Sequence, residues 1–395
     1  MKALLVLALT AVVLLAASST GWEIMFRLGY TMAGILLVSF VWSWGNVRWL
    51  RWSHDVKTPR AQVGGKIEER LTLENSSWIP KMWIEIRDDS TLSGHRGNRV
   101  VSLGSFARKL FTIETPCYRR GEFTLGPITV ASGDPFGLFR RTRRLETGGT
   151  VLVYPAITPI TSFGKLHGDL PGGITRQQRT QFTTPNASGV REYQPGDALS
   201  RIHWPSSVRQ QRLMVKEFEL DPLSDVWLLL DLDSEVQVGR DQESTEELAV
   251  SVAATLGSFF IDQEREVGVI TQKRVLPPDR GQRQLHKLLE LLAVVHSECS
   301  QPLEEMVISE EARFARGATA VIITPSTDEG WLRACRVLAA RGAGVRVVLL
   351  EASTFGARQS PLLLVSSLTV MGVPTYLVKK GDDLARALAF PSSAR

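Results

Sequence analysis

The sequence predicts a membrane-tethered protein that combines an all-β sandwich with an α/β domain on a doubly wound parallel sheet. Three observations carry this. Two uncharged apolar runs, Ala3 to Ser19 and Leu28 to Val47, open the chain. Short alternating segments then fill residues 55–160 with no helical periodicity between them. From residue 220 onward, continuous apolar runs alternate with amphipathic helical ones. The expected divisions are 1–54 (two membrane helices), 55–160 (sandwich), 161–219 (connector) and 220–395 (α/β).

Bulk composition agrees with large buried cores. The 395 residues are 44% hydrophobic and 22% charged. The 46 Lys+Arg against 41 Asp+Glu leave a net charge of +5, too mild to point to nucleic acid. Cys117, Cys299 and Cys335 form no C-x-x-C pair and suggest a reducing compartment without a disulfide framework.

The first apolar run has about 17 residues, near the lower limit for a span, and the second about 20. The linker between them holds Glu23 and Arg27, so the pair reads as a helical hairpin. Lys2 precedes the first run, and Arg48, Arg51, Lys57 and Arg60 follow the second. Positive flanks stay on the cytoplasmic side, which puts both ends and the large domains there. Trp42, Trp44, Trp49 and Trp52 read as an interfacial aromatic belt. A cleaved signal peptide ending near Ala16-Ala17-Ser18 is the competing reading, and the second run would still span.

In the β region the expected strands are 66–73, 82–86, 108–113, 123–130 and 151–155. Arg140, Arg141, Arg143 and Arg144 form a basic cluster, read as a solvated hairpin or, with Arg48 and Arg51, as a lipid-facing patch. The connector contains no G-x-x-x-x-G-K-[ST] loop, and neither does the rest of the chain, so no intrinsic nucleotide hydrolysis is expected.

The stretch from Gly189 to Glu219 interleaves Arg191, Glu192, Asp197, Arg201, His203 and Arg209 with Tyr193, Trp204 and Phe218. Pro195-Gly196-Asp197 marks a turn, and Asp197 can cap a short helix through Ile202. Charges among aromatics are costly to bury unless paired. Arg191, Asp197, Arg201 and Arg209 are therefore expected in buried pairs, with Tyr193 and Trp204 as packing anchors between the two large domains. An enzyme using Arg191, Asp197 and His203 is the alternative, but no Ser or Cys nucleophile and no H-E-x-x-H motif accompanies them.

In the α/β part, strands are expected at 226–231, 266–271, 318–324, 345–350 and 375–378. Asp231, Asp233 and Glu235 stand at the carboxyl end of the first, where ligands bind on such sheets. A strand ending in Asp231 and leading toward a helix resembles a von Willebrand factor A domain. The resemblance implies a D-x-S-x-S metal motif completed by a Thr and an Asp on later loops. Here the serine positions hold Asp233 and Glu235, and Thr324-Pro325-Ser326 stands where a T-D-G type Asp is expected. Two readings follow: Mg²⁺ or Ca²⁺ held by three carboxylates, or a lapsed site in which Asp231 caps a helix or pairs with an Arg. The second is favoured, with no cofactor.

The whole layout resembles the bacterial domain-of-unknown-function 58 family. The matching residues are Tyr118-Arg119-Arg120-Gly121, Asp134-Pro135-Phe136-Gly137-Leu138-Phe139, Arg191-Glu192-Tyr193 with Pro195-Gly196-Asp197, Arg201-Ile202 with Trp204, Arg209 and Glu217-Phe218. His203 stands where the family usually has Asp, and Pro205 where Lys is common. The resemblance implies a non-enzymatic membrane partner of a MoxR-type AAA+ ATPase, with transglutaminase-like membrane proteins as further associates.

Overall fold

The computed structural model describes residues 2–145, 148–164, 183–193, 202–220 and 225–392, with the backbone alone for 183–191 and 216–220. The chain divides into two compact units, Met1–Ala156 with Leu289–Val295, and Ile157–Leu288 with His296–Arg395.

The first unit opens with helices α1 (Lys2–Thr20) and α2 (Glu23–Val47), both long and apolar enough to cross a membrane. They approach closely at Gly29, where a Cβ would stand 2.4 Å from Leu14 Cδ2. A small residue at that contact lets the two backbones come together.

Ten strands follow: β1 (Leu50–Val56), β2 (Arg60–Gln62), β3 (Lys66–Asn75), β4 (Lys81–Asp88), β5 (Arg99–Leu103), β6 (Arg108–Pro116), β7 (Gly121–Leu125), β8 (Ile128–Gly133), β9 (Arg140–Leu145) and β10 (Gly149–Tyr154). They form three sheets, ordered β1-β3-β6, β2-β10-β7 and β5-β4-β8-β9. All pairings are antiparallel except β2 with β10. Leu50, Leu71, Leu73 and Ile113 from the first sheet pack with Ile84, Ile86, Val101, Ile128 and Val130 from the third. A second cluster joins Ile67, Leu125, Val151 and Val153.

Two expectations change here, and the basic cluster keeps its reading as an exposed hairpin. The run 123–130 is two strands in two sheets, β7 on β10 and β8 on β4. Pro127 has no N–H for a ladder, and the break falls at Gly126-Pro127. The basic cluster is strand β9, exposed along Arg140–Arg144 and paired to β8. Trp52 does not join an aromatic belt but packs against the core of the first and third sheets.

The end of α2 is bonded to the sandwich. Asn46, 1% exposed, donates from Nδ2 to Met82 O at 2.8 Å and to Ser132 Oγ at 2.9 Å. Lys81, wholly buried, donates from Nζ to Gly45 O. Burial pushes the Lys81 ammonium below its ordinary pKa.

In the second unit β11 (Thr183–Glu192) pairs antiparallel with β12 (Met214–Leu220), with helix α3 (Trp204–Gln210) between them. From residue 225 come β13 (Val226–Leu230), a small hairpin β14 (Gly239–Arg240) and β15 (Glu243–Ser244), α4 (Thr245–Asp262), β16 (Val267–Ile270) and β17 (Val275–Asp279). Then follow α5 (Gly281–Val294), α6 (Leu303–Ser309), β18 (Thr319–Thr324), α7 (Leu332–Ala340), β19 (Gly344–Leu350), α8 (Leu362–Val370), β20 (Thr375–Val378) and α9 (Leu384–Ala387). The main sheet runs β17-β16-β13-β18-β19-β20 and is parallel except for β17. Strand β17 is absent from the expectation because Pro277 and Pro278 interrupt it, and proline is tolerated on an edge. Every residue of β13 is buried, as its unbroken apolar run requires.

The bonds at the end of α2 give a direct test. Asn46→Ala leaves the Ser132 hydroxyl and the Met82 carbonyl without that donor in a buried site. It is expected to lower stability by about 1–3 kcal/mol. Denaturant unfolding in micelles, followed by tryptophan fluorescence, measures it, and an unchanged midpoint would remove the seam as a stabilising element.

Candidate functional site

The Gly189–Glu219 stretch folds partly as expected. Its ends form the β11–β12 ladder, with Arg191 opposite Val215 and Glu192 opposite Met214. Gly196, Asp197 and Arg201 lie outside the described residues, and Arg191 is described in its backbone alone. The expected helix from Asp197 lies outside the described residues up to Ile202; a helix does begin at Trp204, and its cap is His203. His203 Nδ1 accepts from Ser206 N at 3.3 Å and lies 2.8 Å from Ser206 Oγ. This occupies the ring nitrogen with local structure. Ile202 instead bridges to Val215.

One expected role is corrected, at Arg209; Trp204 is 63% exposed. Arg209 is exposed in the last turn of α3, so it forms no buried pair there. A cation in that place favours the helix dipole and remains hydrated. Tyr193 is half-buried, and Glu192 pairs with Arg212 at 3.7 Å, both exposed. Such surface pairs contribute little.

The acidic corner lies where the order of the sheet reverses, between β13 and β18. Asp231 is wholly buried. Its Oδ2 accepts from Thr324 Oγ1 at 2.6 Å, and its Oδ1 from Gln272 Nε2 at 2.9 Å and from Asp233 N at 3.1 Å. Burial pushes the carboxyl above its ordinary range, partly offset by these three bonds. Gln272 Oε1 accepts from Leu232 N at 2.8 Å, which fixes the amide so that its NH₂ faces Asp231. A cation beside Oδ1 would meet N–H hydrogens.

Asp233 uses Oδ1 on the Glu235 amide at 3.0 Å, and exposed Glu235 takes the Ser300 hydroxyl at 2.6 Å. These three carboxylates do not each bring an oxygen within 4.8 Å of the others among the described residues. The donor set does not fit Mg²⁺ or Ca²⁺. Nor does Asp231 cap a helix or meet an arginine: α4 is capped by Ser244. Thr324 and Gln272 are the working partners. Sequence reading placed Thr324 at the corner without a role and missed Gln272, which no motif marks.

A second charged cluster lies in the first unit. Glu69 on β3 is wholly buried, between the inward-facing Ile67 and Leu71. Its Oε2 stands 3.1 Å from His54 Nε2, and its Oε1 stands 3.4 Å from His95 Nδ1. His95 Nε2 meets Asp88 Oδ2 at 2.8 Å, while Nδ1 is 3.0 Å from Thr115 Oγ1. All four of these side chains, His54, Glu69, Asp88 and His95, are at most 4% exposed. Glu69, Asp88 and His95 bring ligand atoms within 4.8 Å of one another. Yet one imidazole bridges the two carboxylates through opposite nitrogens, and one ion cannot take both. The arrangement suits an imidazolium held between carboxylates.

The titration shifts agree with that arrangement. Burial alone lowers His95, but the Asp88 bond and the charges of Glu69 and Asp88 outweigh it and raise the imidazole. Burial alone raises Asp88, but its bonds to His95 and Ser90 bring it below the ordinary range. Gly97 admits the pair: a Cβ there would lie 2.5 Å from Asp88 Oδ2 and 2.7 Å from His95 Nε2. Sequence reading missed this cluster. The signal was the alternation of β3, which puts Glu69 on the same face as Ile67, Leu71 and Leu73.

The family described as "Protein of unknown function DUF58" matches residues 189–353, from the β11–β12 ladder through the corner strands. The "Uncharacterized protein YeaD" of Bacillus subtilis (strain 168) is 24% identical over 361 residues, covering 89% of this chain and 88% of that one. The "Uncharacterized protein Rv1480" of Mycobacterium tuberculosis is 24% identical over 196 residues. That match spans 48% of this chain and 60% of the relative. Among solved structures, a CARDB domain from Pyrococcus furiosus covers 26% of this chain at a TM-score of 0.20, too low to argue from.

The buried cluster sets a pH profile. A raised imidazole stabilises fully below its unfolded value, about 6.5, and that contribution is lost as pH rises through the folded value. A lowered carboxyl stabilises above its unfolded value, about 3.9, and loses that contribution as pH falls through the folded one. Melting of the sandwich is therefore expected to weaken from near-neutral toward alkaline pH. His95→Gln should flatten that limb. An alkaline limb that survives the substitution rules the cluster out as its source.

Proposed function

We propose that this chain is a membrane-anchored interaction protein without catalytic activity, serving a MoxR-type AAA+ ATPase in an assembly system. The observation that carries the reading is the bonded end of α2: Asn46 and Lys81 make an apolar helix pair and a folded unit one continuous piece. Such a piece suits a fixed tether. Lys2, Arg48, Arg51, Lys57 and Arg60 favour a cytoplasmic side for both folded units, at a bacterial inner membrane.

Two features of the second unit support binding over chemistry. The crevice at the sheet reversal is filled by Asp231, Thr324 and Gln272. The outer face of α8 carries Leu362, Leu363 and Val370, 68%, 78% and 89% exposed. Apolar residues grouped on a surface helix mark contact sites. We read this unit as an A-type domain whose metal corner has become a structural lock, and whose ATPase contact is α8. A transglutaminase-like membrane protein fits as a second associate.

Crosslinking in native membranes followed by mass spectrometry tests the partnership. An AAA+ ATPase linked near α8 is expected, and Leu363→Asp should lose the link while the fold persists. Recovery of no ATPase would sink the proposal. The lock has its own test. Mg²⁺, Ca²⁺ or Mn²⁺ at millimolar concentration should leave the melting temperature unchanged, and a metal-dependent rise would restore the ion site. Asp231 is raised, so its contribution to stability falls as pH climbs from the unfolded toward the folded value. Asp231→Asn lacks that fall, and its melting temperature should gain on the wild type as pH rises.

A further inference from the structure

We propose that the helix-proximal end of the sandwich is itself seated in the lipid headgroup layer, through an aromatic rim built on its turns. The inference rests on the membrane anchoring proposed above and adds a second contact that the two helices do not require.

The rim begins with placement. Helix α2 has 25 residues. At 1.5 Å per residue it is about 37 Å long, against a hydrocarbon core of about 30 Å. The length leaves about 7 Å outside the core, and Gly45 and Asn46, bonded to polar groups of the sandwich, mark the last turn as the part at headgroup depth. The sandwich meets α2 over its last turns. Phe139 packs edge-on against Phe40 with centroids 5.7 Å apart, and Arg141 lies 5.3 Å from the same ring. Phe40 precedes Val47 by about two helical turns. The start of β9 and the turn before it thus run beside the helix end, not beyond it.

The other turns are tied to the same place by hydrogen bonds. Trp49 O accepts from Ser76 N at 3.0 Å, and Ser77 O accepts from Phe106 N at 3.0 Å. Met82 O accepts from Asn46 at 2.8 Å, one residue before Trp83. These bonds bring Trp78 and Phe106 in their turns, and Trp83 at the start of β4, near the end of α2, while Phe136 stands in the turn before β9, whose Phe139 meets Phe40. Each ring is exposed: 74%, 65%, 69% and 58%.

Two further observations favour lipid as the occupant. Trp49, Trp83 and Phe106 have φ of 62°, 55° and 52°. Bulky residues are rarely found at positive φ, and such strain gathers where a side chain must point a particular way. Here Trp83 and Phe106 carry exposed apolar rings at such positions, whereas Trp49 packs edge-on against Trp44. The charges on the same rim are cationic: Arg48 stacks over Trp44 at 4.4 Å, and Arg140 and Arg141 stand on the exposed start of β9. Arg140 also pairs with Glu85. Tryptophan with arginine at one level is the composition of a membrane–water interface.

The test uses the full chain in vesicles of brominated phosphatidylcholine mixed with phosphatidylglycerol. The double variant Trp78→Phe/Trp83→Phe keeps two apolar rings, so the fold is retained while their indole emission is lost. The difference in emission between wild type and variant reports these two rings alone. Most of that difference should be quenched by bromolipid, be blue-shifted, and resist aqueous acrylamide. Quenching by acrylamide but not by bromolipid would overturn the inference, because the rim would face water. Protection from both quenchers would overturn it in favour of a protein cover, a second copy or a partner. Alkaline carbonate extraction separates the two layers of argument. Release of the chain sinks the anchoring and this inference together, whereas retention with an unquenched difference sinks this inference alone.

Discussion

An α-helix ends with carbonyls that have no partner in the helix, and something must satisfy them where the end is buried. At the end of α2 that constraint shapes the whole first unit. Gly45 O is met by the buried Lys81 ammonium, and Asn46 hands its amide hydrogens to β4 and β8. A positive charge at a helix C-terminus is favoured by the dipole. Helix and sheet are joined by groups neither could leave unpaired. The direction of β1, which starts three residues after α2 ends, is set by the same bonds.

Buried carboxylates obey the same rule in two different ways. Glu69 and Asp88 are balanced by imidazoles, so charge is kept inside the sandwich. Asp231 has only neutral donors, and burial drives it toward its protonated form. The first arrangement raises the His95 imidazole through its carboxylate partners. The second leaves Asp231 raised by burial, offset only by neutral donors. Paired groups of this kind fix one conformation more than they add stability.

Much of the architecture was legible because it rests on unbroken patterns. The two apolar runs became α1 and α2, and the runs at 226–231 and 318–324 became β13 and β18. Reading failed where a pattern was interrupted without the structure ending. Gly126-Pro127 separated β7 from β8, and Pro277-Pro278 hid β17. The candidate sites were harder, because they depend on long-range partners. Asp231 was visible as an acid at a strand end. Gln272 is 41 residues away and bears no signature. Glu69 sat in plain alternation with Ile67 and Leu71, a charge on a core face. Arg209 misled in the opposite sense, since its charge on α3 faces outward.

The filled corner has a consequence for where recognition can happen. On a sheet whose order reverses, the crevice beyond the strand ends is the usual ligand seat. Here Asp231 is bonded to both Thr324 and Gln272 in that crevice, and Gln272 is held in turn by Leu232 N. A ligand entering would have to break bonds in a buried site and leave groups unpaired, a cost of about 1–3 kcal/mol for each. An outer helix face imposes no such cost. The exposed Leu362 and Leu363 on α8 lose only water when covered, and covering apolar surface is favourable. Closure of the corner and exposure of α8 thus both support the proposal that this unit meets a partner through its outer surface and not at the crevice.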